Sequence, residues 1–123
     1  MTTLGCHRVL VVEDHEDTRE SLTLLLEAKG YTVDSAQDGR EALTKLRDGG
    51  APCLVLLDLH MPGMSGWQLR RELLEDEALA SLPVILLSGE ADLEDSAAKL
   101  NVTAHLKKPV ALDKLYRLLE KYC

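Results

Sequence analysis

The chain has 123 residues, 46% hydrophobic and 28% charged, enough for one ordinary domain with a core and not the composition of a disordered segment. Its 21 acidic against 14 basic residues give a formal charge of −7, which excludes the basic stripe that phosphate backbones require and argues against direct nucleic-acid binding. No apolar run approaches the ~20 residues of a membrane span, residues 1–8 hold no apolar leader core, and Cys6, Cys53 and Cys123 form neither a disulfide framework nor a C-x-x-C pair, so a reduced cytoplasmic setting without membrane partners is expected.

Residues 8–13 (RVLVVE) form a short β-branched run, the pattern of a strand buried on both faces. From about 16 to 29 the period changes to that of a helix. Leu22, Leu25, Leu26 and Lys29 share one side, and Gly30 supplies a stop. Residues 31–36 alternate Tyr, Val, Ser against Thr, Asp, Ala, as an outer strand does. A second helix over 40–47 turns Ala42, Leu43 and Leu46 inward and ends at Gly49-Gly50. Residues 53–57 (CLVLL) are the most apolar short run and predict the central strand. Residues 61–66 carry loop chemistry in Pro62, Gly63, Ser65 and Gly66. A helix over 67–75 follows, with Leu69, Leu73 and Leu74 on or near one face. A strand over 83–87, a polar helix over 92–100, a short strand over 103–106 and a terminal helix marked by Leu112, Leu115, Leu118 and Leu119 complete the chain.

That is βα repeated five times. Strands alternating with helices imply a doubly wound α/β fold with a five-stranded parallel sheet covered on both faces. In such sheets ligands sit beyond the carboxyl ends of the strands. The first run ends in Glu13-Asp14, the third in Asp58, the fourth in Ser88-Gly89 and the fifth near Lys107-Lys108-Pro109. Three carboxylates crowded together repel one another, and a divalent cation relieves that. Oxygen donors suit Mg²⁺. With metal and ammonium neutralising charge on a transferring group, an Asp becomes a usable nucleophile toward phosphorus. The Ser88 hydroxyl and the Lys108 ammonium can each hold a phosphoryl oxygen. The set reads as an aspartyl-phosphate site.

At these residues the sequence resembles the receiver domain of two-component response regulators. Glu13-Asp14 closes the first strand. Asp58 follows Asp14 by 44 residues, and Ser88 follows Asp58 by 30, with the small Gly89 after it. Met61-Pro62-Gly63-Met64-Ser65-Gly66 matches the family's Met-Pro-x-Met-x-Gly loop, and Lys108-Pro109 completes the set. The segment from Ala36 to Leu43 also resembles the family's approach to its second helix. The resemblance covers essentially 8–122. It implies a single receiver domain over 1–123 with the flavodoxin-like strand order 2-1-3-4-5.

The resemblance also implies roles. Asp58 is the phosphoacceptor. Asp14 and Asp58 ligate Mg²⁺ directly, Glu13 acts mainly through water, and the His60 backbone carbonyl is the remaining protein ligand. Ser88 and Lys108 bind the phosphoryl group, and Gly89 leaves room for it. His60 and Glu90 flank the entry path and tune lifetime. The phosphoryl donor is a sensor histidine kinase or a histidine phosphotransfer protein, and a downstream protein docks on the face of the fourth helix, fifth strand and fifth helix. The domain assists its own phosphorylation and dephosphorylation but is not otherwise an enzyme. Homodimerisation through the last two helices stays open. His105 stands where the family usually has the aromatic of its switch, three residues before Lys108, and Val110 stands where Phe is common.

Three other readings use the same features. A haloacid-dehalogenase-type phosphatase needs a second acid two residues after its nucleophile, where His60 stands, and a nucleophile on the first strand. A flavin or nucleotide carrier needs a glycine-rich phosphate loop that is missing. A phosphate-independent pseudo-receiver differs only in not using the complete site. Zinc-ligand spacing is absent from His7, His15, His60, His105 and the cysteines.

Overall fold

The computed structural model describes residues 8–48, 52–58, 66–77, 79–89, 102–108 and 110–122. Strands β1 (Arg8–Val12), β2 (Thr32–Ala36), β3 (Leu54–Asp58), β4 (Val84–Ser88) and β5 (Ala104–Lys107) alternate with helices α1 (Glu16–Ala28), α2 (Gly39–Asp48), α3 (Gly66–Glu75) and, at the C-terminus, α4 (Leu112–Tyr122). All the strand pairs are parallel, in the order β2-β1-β3-β4-β5. Of the expected 61–66 loop, residues 61–65 lie outside the described residues and Gly66 instead opens α3; the expected 92–100 helix also lies outside the described residues.

The pattern of burial explains the sheet. All five residues of β3 and of β4 are buried, because helices cover both faces of the central strands. Leu10, Val12, Val55, Leu57, Val84 and Leu86 meet Ala42, Leu43, Leu46, Leu69 and Leu73 of α2 and α3. The alternate residues Val9, Val11, Leu54, Leu56, Ile85 and Leu87 meet Leu22 and Leu26 of α1 and Leu115 and Leu119 of α4. Edge strand β2 alternates exposed Thr32 and Asp34 with half-buried Val33 and Ser35, as its sequence does, and buries only Ala36 fully at its carboxyl end.

Local signals set the helix ends. Asp38 Oδ1 accepts the Glu41 N–H at 2.8 Å, an N-terminal cap for α2. Gly30 takes φ +96°, and its N–H donates to the Glu27 carbonyl at 3.0 Å, closing α1. Three expectations are corrected. Leu74 is 42% exposed while Leu69 and Leu73 are fully buried, since it lies one residue, about 100°, round the helix from Leu73. Lys29 is exposed, and its ammonium lies 4.6 Å from the Tyr116 ring centre instead of continuing the apolar face. Cys53 is disulfide-bonded; the strand register, with the Cys53 N–H donating to the Arg8 carbonyl at 2.8 Å, sets its neighbours, and irregular spacing carries no trace of that.

Candidate functional site

The order 2-1-3-4-5 reverses direction between β1 and β3, which opens a crevice at their carboxyl ends. Val12 pairs with Leu57, so the next residues, Glu13 and Asp58, sit side by side on adjacent strands. Glu13 is fully buried and Asp58 is 6% exposed. The Glu13 N–H donates to the Ala36 carbonyl at 3.0 Å, extending the pairing of β1 with β2. Arg19 of α1 donates from Nη1 to the Glu13 carbonyl at 2.9 Å and to the Asp14 carbonyl at 3.4 Å, bracing the β1–α1 turn.

Lys108 reaches this pair from beyond β5. Its Nζ lies 2.7 Å from Glu13 Oε1 and 3.3 Å from Asp58 Oδ1. Its backbone N–H donates to the Ser88 carbonyl at 2.9 Å, which ties the end of β5 to the end of β4. Ser88 is buried. Gly89 is exposed, and a Cβ built on it would meet open space, so the position leaves room above the sheet edge. Asp14 is half-buried, and its Oδ1 is a buried atom without a hydrogen-bond partner. His15 follows, with Nδ1 3.5 Å from Asp14 Oδ1 and 3.7 Å from Glu13 Oε2.

The electrostatics follow from burial and from one cation serving two carboxylates. Burial first, and then the adjacent Glu13 charge, raise the Asp58 carboxyl to about 6, with Lys108 only partly opposing them. Burial also pushes Glu13 upward, but the Lys108 hydrogen bond, the His15 N–H and the Lys108 charge outweigh it and hold Glu13 below its ordinary range. Desolvation would lower Lys108, yet its two carboxylate partners raise it, so the ammonium stays charged. One anion, Glu13, is thus held firmly, while Asp58 remains a weaker acid at the crevice.

The structure therefore joins Glu13, Asp58 and Lys108 directly, places Asp14 against Glu13 and brings Ser88 and Gly89 to the same edge. His105 is exposed on edge strand β5, in register with Leu86. His60 and Glu90 lie outside the described residues. Two participants were not read from the sequence. Nothing in the sequence singles out Arg19, and His15 shares no zinc-ligand spacing with the other histidines; the signal for His15 is its place directly after two acids. The donor set fits a hard divalent cation, since hard carboxylate oxygens gather there and one of them is buried without a partner.

Comparison with known proteins agrees with this geometry. The sequence pattern of the response regulator receiver domain matches residues 9–120. A response regulator receiver protein from Pseudomonas putida superposes with a TM-score of 0.88 at 35% identity, over 97% of this chain and 99% of that one. Response regulator TrrA from Thermotoga maritima, whose crystal structure is a complex with Mg²⁺-BeF, gives a TM-score of 0.84 at 31% identity, over 94% and 98% of the two chains. Response regulator MprA of Mycolicibacterium vanbaalenii is 38% identical over 110 residues, 88% of this chain but 46% of that protein; the chain spans about half of that relative. The chain belongs to the response regulator receiver domain family. Receiver domains are phosphoacceptor modules of two-component signalling and not ordinary enzymes; they bind Mg²⁺ at an acidic pocket and interact with histidine kinases or phosphotransfer proteins and with downstream effectors. Among the described residues, no helix is long and apolar enough to cross a membrane.

Proposed function

We propose that the whole chain, 1–123, works as one cytoplasmic receiver domain in which Asp58 accepts a phosphoryl group from a phosphohistidine of a sensor kinase or phosphotransfer protein. The observation that carries this reading is the Lys108 ammonium held between Glu13 and Asp58 at the switch point of the sheet. In the transfer, an Asp58 carboxylate oxygen forms the new O–P bond as the P–N bond to the donor imidazole breaks, and the departing imidazole keeps the electron pair and is protonated. With an acidity near 6, Asp58 is largely ionised at neutral pH and needs no separate base. Lys108 orients that carboxylate and then pairs with a phosphoryl oxygen. The Ser88 hydroxyl takes a second oxygen, and the open space over Gly89 admits the group.

Asp14 and Asp58 would hold Mg²⁺ directly, Glu13 through water, and the His60 carbonyl would complete the protein ligands. The ion supplies charge neutralisation on the transferring oxygens. His60 and Glu90 would set access and lifetime at the entry path. His105 would couple Ser88 to a partner-binding face around β5 and α4, where the downstream protein docks.

The order of strands disfavours the phosphatase alternative, because Asp58 ends β3 and not β1. Acetyl phosphate with Mg²⁺, followed by intact mass, tests the proposal. One stoichiometric phosphoryl adduct that disappears in Asp58→Asn is expected. No adduct on the wild type points to a phosphate-independent module, and rapid multiple-turnover release of phosphate points to a phosphatase.

A further inference from the structure

We propose that His15 is a specificity-determining ligand of the acidic cation site, shifting its preference from Mg²⁺ toward divalent transition ions that accept nitrogen. This rests on the reading of the site as a cation site. The two oxygens of Glu13 are divided. Oε1 takes Lys108 at 2.7 Å, and Oε2 faces His15, whose N–H donates to it at 3.3 Å. That backbone bond fixes where the imidazole begins. The side chain makes no capping bond to α1, although His15 occupies the N-terminal cap position. Its Nδ1 instead turns to the carboxylates, 3.5 Å from Asp14 Oδ1 and 3.7 Å from Glu13 Oε2.

The spacing suits ligation. Donors ~2.1 Å from one octahedral ion stand about 3.0 Å apart when adjacent and about 4.2 Å apart when opposite. The 3.5 Å between His15 Nδ1 and Asp14 Oδ1 falls between these limits, and one donor atom from each of Glu13, Asp14 and His15 lies within 4.8 Å of the others, which leaves Glu13 in place to act through a water. Asp14 Oδ1 is buried and accepts no hydrogen bond, so a cation there would satisfy an acceptor that the protein leaves open. An all-oxygen site suits Mg²⁺. One imidazole added to two carboxylates raises affinity for cobalt, nickel or zinc far more than for magnesium. His15 is 77% exposed, so its ring can close on an ion without repacking the core.

The test is calorimetric titration of the intact chain with Co²⁺ and separately with Mg²⁺, on the wild type, His15→Ala and Asp14→Asn, with imidazole ¹⁵N spectra recorded during the Co²⁺ titration. The ratio of Co²⁺ to Mg²⁺ affinity should fall about tenfold or more in His15→Ala, and of the histidine ring nitrogens those of His15 should be shifted most by Co²⁺ in the wild type. Asp14→Asn should weaken both ions. An unchanged ratio in His15→Ala, with Asp14→Asn still weakening both ions, overturns the role of His15 and leaves the cation site standing. Unchanged binding of both ions in Asp14→Asn overturns the cation site itself.

Discussion

Lys108 and Glu13 are 95 residues apart in the chain, yet Nζ and Oε1 meet at 2.7 Å. Glu13 is fully buried, and Lys108 keeps 28% of its side chain exposed. The pair closes the sheet by linking the end of β1 to the end of β5 across β3 and β4. It also keeps an ammonium beside Asp58 at 3.3 Å.

Removing that ammonium leaves a buried carboxylate without its cation. Lys108→Ala is expected to destabilise the fold by about 1–3 kcal/mol at pH 7 and to slow phosphorylation by acetyl phosphate. Glu13 is held below its ordinary 4.5, so the stability it contributes is present above pH 4.5 and is lost as pH falls through its lower folded value. The destabilisation should therefore shrink in acid, and Glu13→Gln added to Lys108→Ala should recover part of it. Urea denaturation across pH measures both.

Asp58 has the opposite sign. Burial, then Glu13, raises it from 3.8 to about 6, so between those values the folded state holds more protons than the unfolded one. In metal-free buffer its contribution makes stability fall as pH rises through that window. Asp58→Asn should stabilise the protein at pH 7 to 8 by on the order of 1–3 kcal/mol, with the difference fading below pH 4. A constant difference from pH 3 to 8 in urea titrations with EDTA would contradict the weakened acidity of Asp58.

The face of α3 has a direct test. Leu73 is fully buried and Leu74 is 42% exposed. Leu73→Ala should cost about 2–5 kcal/mol, and Leu74→Ala less than about 1 kcal/mol. Thermal and urea unfolding of the two variants should separate them clearly; equal losses would contradict the rotation of the helix.

His105 stands exposed on β5. If it couples the phosphorylated edge to a partner face, a beryllofluoride adduct should bury the ring and shift its carbon-bound proton resonances. The same His105 rotamer and resonances in the free and adduct forms would remove it from the switch.

The strands and most helices were legible because burial on one or two faces imposes a period on the sequence. The runs 8–13, 53–57 and 83–87 announced β1, β3 and β4 to within a residue or two, and Gly30 marked the end of α1. The gathering of Asp14, Asp58, Ser88 and Lys108 at one edge was legible too, since all four fall at or just beyond strand ends of a parallel sheet. Side-chain pairing was not. Which carboxylate Lys108 grips more closely, and why Asp58 is the weaker acid and Glu13 the stronger, depend on distances of a few ångströms between segments far apart in the chain. Coulomb energy and desolvation change steeply over those distances, whereas residue spacing along a chain carries only order and period. The order of acids, hydroxyl and lysine therefore came from the sequence alone, and the division of charge among them only from the way β1, β3 and β5 converge.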